Sequence, residues 1–252
     1  MNLALMIAIF AMAAAPAAQW RHTMSGVPRL PNGKVDLTAP APRRSDGKPD
    51  ITGLWKVNGG YVADIAKDLK PGDVPYQAWA QALYNERRTN NSKDDPTASC
   101  IIGGVPRSDV VPYPLKIIES PGMTVILYEA VHSYRQIFTD GRTLPQNDPT
   151  PTWFGYSIGK WDGDTFVVET SNIKDGGWLD NNGKPATNAL RVTELFHRKD
   201  FGHLDLQITI DDPKAYTKPW SIQVPFIFQA DDELMEYICE ENNRYFGNKL
   251  QQ

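Results

Sequence analysis

The chain has 252 residues, 41% of them hydrophobic and 10% aromatic, enough apolar surface for one large core. A formal net charge of −4 with no basic stripe argues against nucleic acid as a partner. The 20 Pro and 19 Gly imply many turns and long loops.

The apolar run from Leu3 to Ala15 is too short to cross a bilayer and fits the core of a signal peptide; Ala15-Pro16-Ala17 supplies an Ala-x-Ala cleavage site. Residues 1–18 are therefore expected to be a leader. The mature protein is expected in the periplasm or the medium, with no membrane-spanning segment. Residues 19–49, rich in Pro, Arg and Gly and without periodicity, read as an extended arm.

Residues 50–252 read as a single domain whose first element is the strand Asp50–Val57. Residues 75–88 form the one convincing helix, with Trp79 and Leu83 four apart on one face. Strand-like runs follow at Leu115–Glu119, Met123–Thr139 (with a hairpin or bend possible near its middle), Tyr156–Trp161 and Thr165–Ser171, the last two joined through Asp162-Gly163-Asp164. Ala189–Arg198 pairs with His203–Ile210, and Trp220–Gln229 with Glu233–Cys239. Eight or nine strands joined mostly by tight turns predict a mainly β fold, an antiparallel up-and-down β-barrel or a strongly bent sheet.

No nucleophile elbow, phosphate loop, dinucleotide turn or zinc-protease motif occurs, so no cofactor is expected. The four His residues (His22, His132, His197, His203) are not in metal-ligand spacing, and no metal is expected. Alternate strand residues share a face. On that pattern Ile126, Tyr128, Ala130, His132 and Tyr134 lie together, Glu194 intrudes among Leu190, Val192 and Phe196, and Glu241 follows Met235, Tyr237 and Cys239. A barrel would gather these faces around one lumen. His132, Glu194 and Glu241 are then the candidate catalytic groups, with Tyr128, Tyr134 and Tyr237 against a substrate and Arg142 and Trp153 at the mouth. The alternative is that each intruder is neutralised by Arg135, Arg191, Arg244 or the backbone and only locks the barrel. Cys100 and Cys239 are either two buried thiols or a bridge, and a bridge contributes roughly 4–5 kcal/mol on the chain-entropy model.

Gly53-Leu54-Trp55 on the first strand resembles the Gly-x-Trp opening of lipocalin-type barrels. That resemblance implies a late Arg packed over the Trp, with Arg244 the candidate. A broader set of motifs resembles a family of largely uncharacterised exported bacterial β-proteins: Asp140-Gly141-Arg142, Tyr156 to Trp161, Gly163-Asp164-Thr165, Val167–Thr170 and Glu236–Asn242. It implies export and β-architecture and supplies no catalytic residues.

Two functions fit this sequence. One is a cofactor-independent acid/base enzyme, a lyase, isomerase or hydratase, acting on a small cyclic or aromatic compound through His132 and Glu194. The other is a lipocalin-type protein that binds or scavenges such a molecule; beside both stands a purely structural envelope protein, which predicts a filled barrel with no cavity. A His and a carboxylate in contact inside an open lumen favour the enzyme; polar groups paired off against Arg favour binding.

Overall fold

The computed structural model describes residues 24–146, 150–239 and 241. The expected leader, the first residues of the arm and Arg244 lie outside the described residues.

Period-2 burial runs through every long strand, as in β8, whose residues alternate between half-buried and buried along its whole length. The strands are β1 (Gly53–Val57), β2 (Leu115–Ser120), β3 (Met123–Tyr128), β4 (Ser133–Phe138), β5 (Tyr156–Asp162), β6 (Thr165–Ser171), β7 (Arg191–Arg198), β8 (His203–Asp211) and β9 (Trp220–Phe228). They pair in chain order, and β1 closes the ring against β9, giving a nine-stranded barrel. The one long helix is α1 (Ala78–Thr89). It buries Ala80 and leaves Trp79 47% exposed, so the Trp79–Leu83 face is not its core face.

Three differences from the sequence expectation have physical causes. First, β4 and β5 pair parallel, through only Ile137↔Ser157 and Phe138↔Ile158, so the barrel is mixed rather than wholly antiparallel. Second, Glu233–Cys239 is not a strand; that segment runs over the end of the barrel instead.

Third, Met123–Thr139 is not one strand. A 3-10 turn at Ala130–His132, with His132 at φ +39°, folds it into the β3–β4 hairpin. The hairpin register Tyr128↔Ser133 resets the alternation, so β4 turns Ser133, Arg135 and Ile137 inward and Tyr134 outward.

The lumen is filled. Trp55, Phe166, Phe196 and Phe226 are fully buried, with Leu206, Ile208, Ile210 and Val224 between them. The guanidinium of Arg198, on β7, stands 4.9 Å over the Trp55 ring.

The arm is built from a repeat. Pro28-Arg29-Leu30-Pro31-Asn32-Gly33-Lys34-Val35-Asp36 and Pro42-Arg43-Arg44-Ser45-Asp46-Gly47-Lys48-Pro49-Asp50 share a Pro-Arg, a Gly-Lys and a closing Asp at the same spacing. Each forms the same small hairpin: Leu30 N–H donates to Lys34 O at 2.8 Å, and Arg44 N–H to Lys48 O at 2.9 Å. In each, the Arg donates to the carbonyl of its own Gly and then grips an aspartate at one end of the barrel. Arg29 holds Asp231 and Arg43 holds Asp164. Between the two hairpins, the carbonyls of Leu37 and Ala39 accept from Gly202 and Phe201. The arm therefore covers its own barrel, at the end holding the β5–β6 and β7–β8 turns.

Gly53 has φ +115°, and a Cβ there would lie 2.4 Å from Cε2 of the buried Phe228. Gly163, in the β5–β6 turn, has φ +56° and open space around it. Gly53→Ala is expected to cost more than about 2 kcal/mol, and Gly163→Ala only about 1 kcal/mol, because the second carries the backbone penalty without the clash. Urea unfolding of the two variants checks the order.

Candidate functional site

β-Barrel interiors bury one face of every strand, so a charge on that face must find a partner there. Arg135 on β4 is such a charge, and it reaches across the barrel wall. Its Nε donates to Ser157 Oγ on β5 at 3.0 Å, Nη2 donates to Thr170 Oγ1 on β6 at 2.7 Å, and Nη1 donates to Glu194 Oε1 on β7 at 3.0 Å. Nη2 also bonds Glu194 Oε2, making the ion pair bidentate. Ser157 and Thr170 bond each other at 2.9 Å.

Asp109 joins this cluster from the 3-10 turn Arg107–Val110. It accepts from Tyr128 Oη at 2.6 Å, and its other oxygen lies 3.7 Å from Arg135 Nη1. All six side chains are buried. Burial, and then the charge of Glu194, push the Asp109 carboxyl up to about 7, against the pull of Arg135 and Tyr128. With both acids ionised the sealed site would carry one uncompensated negative charge. One proton on Asp109 removes it. The protonated Oδ2, which receives no hydrogen bond as a carboxylate, then becomes a donor facing Glu194. Burial likewise holds the Tyr128 hydroxyl well above its ordinary value, so Tyr128 stays a neutral donor.

Next to this cluster, at the same end of the barrel, is a cavity of about 270 Å³. Arg107 and Ser108, from the turn that carries Asp109, line it, together with Val111, Tyr113 and Ala130 from the strand ends. Val62 and Asn181 form a further wall, and the Asn181 N–H donates to Val62 O at 2.8 Å. Lys184 secures that wall from behind: it is buried and bonds Asp64 at 2.6 Å and Asp180 at 2.8 Å, while Asp180 accepts the Ile65 N–H. The roof is the segment after β9. Cys239 is bridged to Cys100, 139 residues away in sequence, and Tyr237 lies against Tyr113 with ring centroids 5.1 Å apart. Two backbone N–H groups fasten the same segment, Met235 to Glu129 Oε2 at 3.0 Å and Tyr237 to His132 Nε2 at 3.1 Å.

The residues singled out from sequence are dispersed by this geometry. Glu194 and Tyr128 do face the lumen and share the Arg135 cluster. His132 does not: the Ala130–His132 turn puts it on the surface, where its ring receives the tail. Tyr134 is 64% exposed on the outer wall for the same reason. Glu241 sits in an exposed turn after the bridge and does not enter the lumen. Arg142 is held by Asp140 and by Tyr156 Oη at 3.0 Å, with its guanidinium 3.9 Å over Phe138, beyond the far end of β4 from the cavity. Trp153 is half-buried, and its carbonyl accepts the Val105 N–H. Tyr237 lines the cavity as part of its roof.

Asp109, Arg107 and Ser108 were missed as site residues, whereas Arg135 was expected only as a group that neutralises an intruder, which it does for Glu194. Arg135 lost its inward assignment when β3 and β4 were read as one strand, and the other three belong to a short 3-10 turn with no period. Among the described residues no group of three His, Cys, Asp or Glu side chains is placed to hold a metal ion, and no helix is long and apolar enough to cross a membrane. The disulfide is compatible with an exported protein. No family model and no curated protein matches this sequence.

The proton on Asp109 has a measurable signature. A carboxyl raised from its unfolded value near 4 to about 7 makes the folded state the tighter proton binder between those values. Its contribution is therefore fully present below about pH 4 and is lost as pH rises towards 7, a cost of up to about 4 kcal/mol. Asp109→Asn mimics the neutral acid, accepting from Tyr128 and donating towards Glu194. The variant is expected to match the wild type near pH 4 and to exceed it in stability at pH 8, by urea unfolding at both values. A variant that is the less stable of the two at pH 8 would show that the surroundings do not raise the Asp109 carboxyl. Arg135→Met, which strands Glu194, is expected to cost about 3–5 kcal/mol.

Proposed function

We propose that this protein is an exported, non-catalytic binder of a small cyclic or aromatic molecule, held at the end of its barrel beneath the disulfide-anchored tail. The observation that carries this reading is the roofed cavity of about 270 Å³ with tyrosine rings on its wall and roof. Barrel mouths are common ligand sites, and an apolar lining with a few placed polar groups is what small molecules require.

The polar groups of the lumen also favour binding over catalysis. Glu194 is held by both arms of the Arg135 guanidinium, and His132 stands outside the barrel, so the acid/base pair that an elimination or isomerisation needs is not assembled from these residues. Export through the leader at 1–18 into an oxidising compartment is part of the same proposal, supported by a bridge between two residues far apart in sequence.

Native mass spectrometry of the mature protein, before and after mild denaturation, tests this. A co-purifying small molecule that dissociates on denaturation is expected. The Cys100→Ser/Cys239→Ser double variant, once circular dichroism shows it folded, is expected to lose that molecule, because its roof is held only by hydrogen bonds. A clean mass from the wild type, joined to no thermal shift across a library of cyclic metabolites, would remove the binding reading.

A further inference from the structure

The chemistry of the cavity narrows what it can hold. Among the described residues its lining contains one cation, Arg107, and no carboxylate. Arg107 is buried and fully engaged by the protein. Nη1 and Nη2 form a bidentate pair with Asp95 at 2.9 and 2.5 Å, and Nη2 also donates to Thr97 Oγ1 at 3.1 Å and Asn181 Oδ1 at 2.6 Å. With Asp95 counted, the surroundings of the cavity are electrically neutral.

A carboxylate entering this space would give up its hydration and meet a guanidinium already neutralised. An ammonium would meet no free anion among the described residues. Against Val62, Ile102, Val111 and Pro112, either desolvation would go uncompensated.

Three hydroxyls of the lining, those of Ser108, Tyr113 and Tyr237, lie outside the Arg107 cluster. Ser108 lines the cavity, and its hydroxyl is bonded to no described residue. It can donate to a ligand oxygen or accept from a ligand hydroxyl. Its position is fixed in advance, since Asp109, one residue on, is pinned inside the barrel by Tyr128. Such preorganisation lowers the cost of binding. Tyr113 and Tyr237, tilted at 45° to each other, present aromatic surface to a ring.

We infer that the cavity selects an uncharged, ring-bearing molecule carrying a hydrogen-bonding oxygen, and that Ser108 Oγ is its polar anchor and main specificity determinant. The inference rests on the binding function proposed above and adds the ligand's charge state and its point of attachment. About 270 Å³ limits the ligand to one ring or a small fused pair.

Three probes of one shape and different charge test it: benzamide, benzoate and benzylammonium, titrated calorimetrically into the mature protein at pH 7 after any co-purified molecule has been stripped. Benzamide is expected to bind, and the two ions at least tenfold more weakly. Ser108→Ala is expected to weaken benzamide about tenfold, the loss of one hydrogen bond, with an unchanged melting temperature. Asp95→Asn, which unmasks Arg107, is expected to raise the affinity for benzoate.

Benzoate or benzylammonium binding as well as benzamide would overturn the charge selection while leaving the binding function standing. Full benzamide affinity in Ser108→Ala would overturn the anchor. Were no probe to bind although a molecule co-purifies, the ligand class would be wrong. Were none to bind and nothing co-purify, the binding function itself would fall.

Discussion

The barrel depends on the salt bridge between Arg135 and Glu194. Eight of its nine strand contacts are antiparallel ladders, but the β4–β5 seam is parallel and joined by only two residue pairs. A seam that short leaves backbone groups unpaired along most of β4's outer edge, and it is where a closed barrel would open first. Arg135 lies on the strand that borders this seam. Its guanidinium bonds β5, β6 and β7 in turn, so one side chain crosses the weak joint and two strong ones. A hydrophobic residue at this position could fill the volume but could not tie three strands to a fourth.

An ion pair in a sealed interior is weak evidence for stability, because desolvation offsets most of its attraction. Here the pairing is unusually complete. Every guanidinium nitrogen of Arg135 has an acceptor, Glu194 is held at both oxygens, and the hydroxyls of Ser157 and Thr170 are bonded to each other as well as to the cation. The one excess charge would be that of Asp109, and a proton cancels it. The cluster then behaves as a neutral, cross-linked plug. This is why a perturbed carboxyl, which in an open cleft would suggest catalysis, reads here as structure. Its neighbours on the same turn, Arg107 and Ser108, turn the other way and meet the cavity. Cavity wall and barrel lock are therefore two sides of one four-residue turn.

Much of this was legible in the sequence. Alternation placed seven of the nine strands to within a few residues, read β3 and β4 as one run, and the Asp-Gly signal located the β5–β6 turn. What failed was parity. Nothing in Ala130-Val131-His132 forbids a strand, and only the left-handed backbone of His132 ends one there. A single break of that kind exchanges the faces of everything after it, which is how His132 and Tyr134 were placed in the lumen and Arg135 outside it. The tail failed differently. Met235, Tyr237 and Cys239 alternate as a strand would, but β9 already pairs with β1, so no sheet edge remained beside it for another strand to join. The arm held a signal that composition obscured: its Pro, Arg and Gly suggest irregular chain, whereas their order repeats.

The two ends of the barrel are closed by different means, and this assigns their roles. At the arm's end, two copies of one hairpin grip Asp164 and Asp231, Arg44 reaches Glu119 at 2.7 Å, and the buried Arg198 bonds the carbonyls of Asp50, Asp200 and Phe201 beneath them. Arg198 has no carboxylate in hydrogen-bond contact. Burial lowers its pKa to about 10, and carbonyl dipoles and the faces of Trp55, Phe201 and Phe228 carry its charge. Opening that end would break many bonds at once and expose an aromatic core. At the other end the cover is a tail without secondary structure, fastened by one covalent bridge and two backbone hydrogen bonds. The end that carries the cavity is thus closed by few bonds and the arm's end by many.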